Sequence, residues 1–233
     1  MRLLILFLFL ISTSLFINAQ TNGKANKNSL PAASLFDTYI QQALQTWKTP
    51  GLSVAVVKDG KVVFKKAYGV REMGKSDIYK TSTLSTCAST TKAMTAVCMG
   101  MLVDEGKVKW TDLVADILPE FKLSDPYTTS QITIRDLFTH NAGLGNADFL
   151  WVYGYSRAEI LHRMQQVPLA YSLRAGFIYQ NLMYIVAGEV ILKLTGKTWD
   201  DFIMERLFKP LNMTNSFSDY SKVSTDDKTS LHY

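Results

Sequence analysis

Two β-rich runs joined by a two-residue turn constrain the fold of this chain more than any other feature. Residues 52–58 and 61–68 are rich in valine and flank Asp59-Gly60, a dipeptide typical of tight β-hairpins. The first run is apolar on both of its faces, with Val54 and Val56 on one and Ala55 and Val57 on the other. We therefore expect a hairpin whose sheet is packed between helices.

Helical patterns dominate the rest of the chain. Before the hairpin, five apolar residues recur at helical spacing: Leu35, Tyr39, Ala43, Leu44 and Trp47. Residues 88–105 and 182–194 are apolar nearly all round and precede Gly106 and Gly196, which predicts two buried helices with glycine stops. Three pairs resemble capping boxes and mark further helix starts: Thr133 with Asp136, Ser156 with Glu159, and Thr198 with Asp201. This order predicts an α+β fold, an antiparallel sheet flanked by a mostly helical region.

The N-terminus has the pattern of an export signal. Arg2 precedes an apolar run over residues 3–16, and the small residue Ala19 follows shortly after it. We expect a signal peptide over residues 1–19, a polar linker over 20–30 and one domain over 31–233. The protein is then exported, periplasmic or secreted, and keeps no stable membrane anchor after cleavage, because the apolar run is shorter than a membrane span.

Charge and cysteine content exclude several classes of function. The formal net charge is +5, but the basic residues are spread along the chain, which argues against nucleic-acid binding. Cys87 and Cys98 lie on one predicted helix about 16 Å apart, too far for a disulfide, so we expect two small buried thiols. With only three histidines and no metal-ligand spacing, the sequence predicts no metal and no cofactor.

Ser89-Thr90-Thr91-Lys92 is the first candidate for chemistry. The hydroxyl and the amine are three positions apart at the start of a helix, so they project from one face. A lysine can accept the serine proton when apolar neighbours disfavour its charged form, and Ala88, Ala93, Met94 and Ala96 are expected to supply that setting. Alternatively, Ser89 only caps the helix and Lys92 is solvated.

Tyr179-Gln180-Asn181 is the second candidate, and it opens the apolar helix that follows. A tyrosine beside a lysine can relay protons, and an asparagine amide can both donate to and accept from a substrate amide. Alternatively, Tyr179 is a core aromatic residue and Asn181 is the N-cap of the next helix.

Several segments in this order resemble one enzyme family. They contain Ser89-Thr90-Thr91-Lys92, His140-Asn141-Ala142-Gly143-Leu144 and Tyr179-Gln180-Asn181, and span residues 87–96, 101–107, 133–144, 174–181 and 209–213. Together they are similar to the class C β-lactamases and the penicillin-binding-protein-like serine hydrolases, over about residues 35–218.

The resemblance implies roles for these residues. Ser89 would form an acyl-enzyme, Lys92 and Tyr179 would share acid–base work, and Asn181 would orient the substrate amide. The Ser89 backbone N–H would supply half of the oxyanion hole, and His140 would be structural, in a turn at a helix end.

One departure from the family concerns its third motif, a Lys or His followed by a small residue and Gly on a late strand. The motif is absent, since Lys197-Thr198-Trp199 has Trp at the Gly position and lies between two predicted helices. We therefore expect that the chain lacks the last strands of the sheet, has little activity by itself and has an exposed, sticky sheet edge.

Three hypotheses remain open on sequence grounds. The first is an exported serine hydrolase acting on amides or esters, such as β-lactams, D-amino-acid peptides of the cell wall or small esters. The second is a non-catalytic binding protein on the same fold. The third is an inactive fragment of a longer gene product.

Overall fold

The computed structural model describes residues 33–229, so the predicted signal peptide, residues 1–19, and the linker, residues 20–30, lie outside the described part. The described residues divide into two compact units, one with residues 33–49 and 55–64 and the other with residues 50–54 and 65–229. In the described order, the elements are α1 (Ala33–Trp47), β1 (Gly51–Lys58), β2 (Lys61–Gly69), α2 (Thr91–Asp104), α3 (Val114–Ile117), α4 (Pro126–Gln131), α5 (Phe149–Val152), α6 (Arg157–Met164), α7 (Leu182–Thr195) and α8 (Trp199–Ile203). The fold is α+β, as predicted: a small antiparallel sheet with a mostly helical region.

In the smaller unit, α1 forms where helical spacing predicts it, but it buries a different face. Leu35, Tyr39 and Trp47 are exposed, whereas Ile40 is buried. The ring of Phe36 packs edge-on against Phe64 with centroids 4.9 Å apart. The predicted stripe was therefore wrong for three of its five members, because helical spacing alone does not identify which of two adjacent apolar stripes finds a partner.

The hairpin forms at the predicted turn. Asp59 and Gly60 have φ of 51° and 71°, the left-handed pair that a tight two-residue turn requires. Val54 and Val56 are half-buried, but Ala55 and Val57 are exposed. The prediction that both faces are covered is thus wrong for the described residues, in which the sheet has two strands.

The larger unit contains the hydrophobic core, which is built around α2 and α7. Cys98, Met99 and Leu102 on α2 and Val186 and Val190 on α7 are completely shielded from solvent. Gly106 and Gly196 follow the ends of the two helices with φ of 70°, the conformation that glycine adopts most easily at a helix end. Both predicted buried helices and both glycine stops are therefore confirmed.

The three capping pairs also form. Ser156 Oγ accepts the Glu159 N–H at the start of α6, and Thr198 Oγ1 accepts the Asp201 N–H at the start of α8. The Asp136 carboxylate accepts from the N–H and the hydroxyl of Thr133, and the turn that follows is a short 3-10 helix, Arg135–Phe138. Burial alone would raise the pKa of Asp136, but hydrogen bonds from Arg174 and Thr133 hold it below its usual value.

The two cysteines differ in environment. Cys98 lies in the core, and burial raises the pKa of its thiol to about 11. Cys87 is exposed, so the prediction of two buried thiols is wrong for Cys87, which lies in the segment that leads to the turn before α2. Both are free thiols, as predicted.

Candidate active site

Ser89 lies in a tight turn, Ala88–Thr90, that leads directly into α2. Ala88 has a φ of 43°, in the left-handed region that a residue with a Cβ adopts at an energetic cost. Ser89 itself is exposed, and no side chain caps the start of α2, where the cap position belongs to Thr90. The structure therefore does not support the alternative that Ser89 serves as a helix cap.

Lys92 occupies the first turn of α2, and its amine reaches the nucleophile candidate. Its Nζ donates a hydrogen bond to Ser89 Oγ at 3.3 Å. The observed surroundings of Lys92 differ from the predicted apolar setting, because Ala88 and Ala93 are exposed. Instead, two aromatic rings flank the half-buried amine, with centroids 4.5 Å away in Tyr179 and 5.2 Å away in Tyr184.

Asn181 stands at the N-cap position of α7, but its side chain does not cap that helix. Its Oδ1 accepts a 2.6 Å hydrogen bond from Lys92 Nζ. Lys92 thus bonds Ser89 on one side and Asn181 on the other. The alternative in which Asn181 only caps the next helix does not hold for this side chain.

Tyr179 lies beside the amine and keeps 41% of its surface exposed, so it is not a core aromatic residue. Hydrogen bonding to Lys92, and then to Ser89, holds the pKa of the Tyr179 phenol below its ordinary value. A phenol with a lowered pKa gives up its proton more readily, which suits a proton relay between Ser89 and a leaving group.

The imidazole ring of His140 packs against the ring of Tyr179. The two rings stack with centroids 4.5 Å apart and an interplanar angle of 28°. His140 Nδ1 accepts the backbone N–H of Gln180 at 3.0 Å, so this nitrogen is occupied. Burial, and then the charge of Lys92, hold the pKa of His140 below its usual value. These contacts fit the structural role expected for His140.

The sequence analysis missed two side chains near the site, Tyr184 and Asp148. Tyr184 flanks Lys92 and donates to the Phe138 carbonyl at 3.2 Å, and burial raises the pKa of its phenol. Asp148 accepts from Asn181 Nδ2 at 3.0 Å and from the Trp151 indole at 3.1 Å. Tyr184 follows Asn181 by one helical turn, which was a usable signal, whereas no pattern connects Asp148 with Asn181.

Lys197 and Thr198 lie between α7 and α8, and Trp199 is the first residue of α8, so the segment is not on a strand. Lys197 pairs with Glu205, and Thr198 caps α8.

A cavity of about 350 Å³ adjoins the turn that carries Ser89. Cys87 and Ala88 form part of its wall, and most of the remaining lining is apolar, including Met94, Trp199, Ile203, Phe208, Met213 and Phe217. Within residues 33–229, no cluster of His, Cys, Asp or Glu is arranged to hold a metal ion, and no helix is long and apolar enough to cross a membrane.

Among known proteins, the chain is similar to two curated groups. An unguisins hydrolase from Aspergillus campestris is 33% identical over 205 residues, which cover 84% of this chain and 38% of the relative. Protein flp from Staphylococcus aureus is 29% identical over 184 residues, covering 77% of this chain and 37% of the relative. The chain therefore spans less than two-fifths of the length of these relatives.

Solved structures show the same fold. The octameric penicillin-binding protein homologue from Pyrococcus abyssi superposes with a TM-score of 0.73 at 23% identity, covering 85% of this chain and 47% of that chain. A penicillin-binding protein homologue from Caulobacter crescentus superposes with a TM-score of 0.65, also at 23% identity, covering 77% of this chain and 48% of that chain. Residues 36–232 match the family described as Beta-lactamase. The chain therefore belongs to the Beta-lactamase family, whose fold it shares with the penicillin-binding protein homologues.

Proposed function

We propose that this protein is a serine hydrolase that forms an acyl-enzyme on Ser89. The observation that carries the proposal is the position of Lys92 Nζ, 3.3 Å from Ser89 Oγ and 2.6 Å from Asn181 Oδ1. One amine thus connects the candidate nucleophile with the candidate substrate-binding amide. Membership of the Beta-lactamase family and similarity to a relative named as a hydrolase support the same reaction class.

The proposed reaction begins with transfer of the Ser89 hydroxyl proton to a neutral Lys92 amine. Ser89 Oγ then attacks the substrate carbonyl carbon, and the bond from that carbon to the departing nitrogen or oxygen breaks, which leaves an ester on Ser89. The Tyr179 phenol gives its proton to the departing atom and regains one from the Lys92 ammonium. Water releases the acyl group by the reverse sequence. The lowered pKa of Tyr179 supports its part as the relay.

The chemistry of Asn181 and of the cavity wall supports a proposal for the substrate class. The Asn181 amide next to the nucleophile suits an amide or peptide substrate. The apolar cavity suits an uncharged group of that substrate. β-Lactams, cell-wall D-peptides and small esters remain the candidate substrates.

Covalent trapping tests the proposal. We expect a fluorophosphonate, a β-lactam or a nitrophenyl ester to add mass to the peptide that contains Ser89, as read by intact-mass and peptide mass spectrometry. Ser89→Ala should abolish the adduct, while Ser85→Ala, a nearby hydroxyl in the same segment, should leave it unchanged. An adduct that persists in Ser89→Ala would contradict the assignment.

The same incubation separates the alternatives. Because the third family motif is absent from the sequence, we propose that the 233-residue chain labels once at Ser89 but turns over poorly. A non-catalytic binding protein would bind the lactam without any adduct. Full turnover by this chain would show that the third motif is not needed.

Export is part of the proposal, supported by the signal-like sequence of residues 1–19. We expect the recovered protein to begin directly after Ala19, which N-terminal mass spectrometry can measure. Recovery from the periplasm or medium with Met1 intact would exclude cleavage.

A further inference from the structure

Two residues near the proposed site stand at helix N-cap positions without capping their helices. Asp148 precedes α5 and Asn181 precedes α7, and neither side chain bonds the backbone of its own helix. Asp and Asn are preferred at this position because they satisfy free backbone N–H groups. Here the two side chains bond each other instead, with Asn181 Nδ2 donating to Asp148 Oδ1 at 3.0 Å.

The polarity of the contacts fixes the orientation of the Asn181 amide. An ionised carboxylate can only accept hydrogen bonds, and the NH₂ group of an amide can only donate them. Asp148 therefore requires the amide nitrogen on its side, which leaves the amide oxygen for Lys92 Nζ on the other side, at 2.6 Å. A flipped amide would place its oxygen against the Asp148 carboxylate, acceptor facing acceptor.

Asp148 is itself held in place. The Trp151 indole N–H donates to the same Oδ1 at 3.1 Å, and the Asp148 backbone N–H donates to Asn146 Oδ1 at 3.2 Å. The chain of bonds runs from Trp151 through Asp148 and Asn181 to Lys92, and ends at Ser89.

We propose that Asp148 is a positioning residue, which locks the Asn181 amide so that its oxygen holds the Lys92 amine beside Ser89. This proposal rests on the proposed function of Ser89 and Lys92, but the Asp148–Asn181 contact is a separate physical claim. Without Asp148 the amide can turn over, and its NH₂ group would then donate to the lone pair of the Lys92 amine, which the proposed reaction needs for the Ser89 proton.

The first test is spectroscopic and needs no activity. In ¹⁵N-labelled protein, the Asn181 side-chain NH₂ signals are assigned from their loss in Asn181→Ser. We expect Asp148→Asn, which keeps the side-chain volume, to shift these signals. Asp125→Asn is the matched control, because Asp125 does cap its own helix, α4, through the Thr128 N–H. Unchanged signals in Asp148→Asn would overturn the proposal.

The second test is a double-mutant cycle on the rate of Ser89 labelling by a fluorophosphonate. We expect Asp148→Ala to slow labelling about tenfold, the size of one hydrogen bond to a charged group. In the Asn181→Ala background, Asp148→Ala should have no further effect, because Asp148 acts only through Asn181. If Asp148→Ala slows labelling equally in the wild-type and Asn181→Ala backgrounds, Asp148 has a purely structural role. If wild type does not label at Ser89, the proposed function fails while the spectroscopic test still decides the Asp148–Asn181 contact.

Discussion

The helices α2 and α7 and the β1–β2 hairpin are built from similar apolar residues but differ in what covers those residues. Met99, Leu102 and Val186 on the helices are completely buried, whereas Val57 and Val62 on the hairpin are more than 60% exposed. Of the candidate site residues, Lys92 lies on α2 and Asn181 directly precedes α7. The comparison suggests that the rigidity of the site depends on the helical core and little on the outer face of the hairpin.

The largest expected effect comes from making the same substitution in both regions. Val186→Ala removes two methyl groups from the core and should lower the free energy of unfolding by about 2–3 kcal/mol. Val57→Ala should lower it by less than about 1 kcal/mol, because only strand preference is lost. The midpoints and slopes of urea unfolding curves give the free energy of unfolding of both variants. Equal losses would show that the exposed valine packs against something in solution.

A smaller effect is expected from making the hairpin more polar. Val57→Thr combined with Val62→Thr keeps the β-branched shape and should change the free energy of unfolding by about 0.5 kcal/mol or less. The same pair should reduce self-association, because exposed apolar strand residues favour contacts between copies. Sedimentation velocity measures self-association. The control is Tyr127→Ser on α4, which removes an exposed aromatic group elsewhere and should leave self-association unchanged. Self-association of the hairpin variant equal to that of wild type would refute the assigned surface.

The smallest effect is a pH dependence that originates at His140. Burial and Lys92 hold its pKa below that of the unfolded chain, so the unfolded state binds the proton first as the pH falls. The stability that His140 contributes is therefore present above about pH 6.5 and is lost progressively below it. His140→Asn keeps an acceptor for the Gln180 N–H and should flatten the change in unfolding midpoint between pH 7.5 and 5.5.

The control for this prediction is His162→Asn at an exposed histidine, which should keep the wild-type pH profile. A profile for His140→Asn that matches wild type would assign the pH dependence to other groups.

Local patterns in the sequence were sufficient for much of the fold. The apolar run and glycine stop of α7, the Asp59-Gly60 turn and the Ser156 cap each depend on neighbours within a few residues. Burial was less predictable, since the outward face of β1 and the exposure of Cys87 depend on which elements pack over them. Short helices such as α5 also escaped prediction, because four residues carry too little periodicity.

The site was predictable to the same extent. Ser89 and Lys92 are three residues apart in the sequence, and Tyr179 and Asn181 are two residues apart, so short local motifs point to them. Asp148 bonds Asn181 across a long stretch of sequence, and only the tertiary fold brings the two together. The aromatic setting of Lys92 was likewise invisible, because it comes from α7 and the segment before it rather than from the alanines near Lys92.

The central claim is that Lys92 activates Ser89, and the rate of Ser89 labelling by a fluorophosphonate tests it most directly. We expect Lys92→Ala to label at least about 100-fold more slowly than wild type, since a positioned base contributes a factor of that size. Lys197→Ala, the lysine of the superficial third-motif echo, should label at the wild-type rate. Labelling of Lys92→Ala within twofold of wild type would contradict the account.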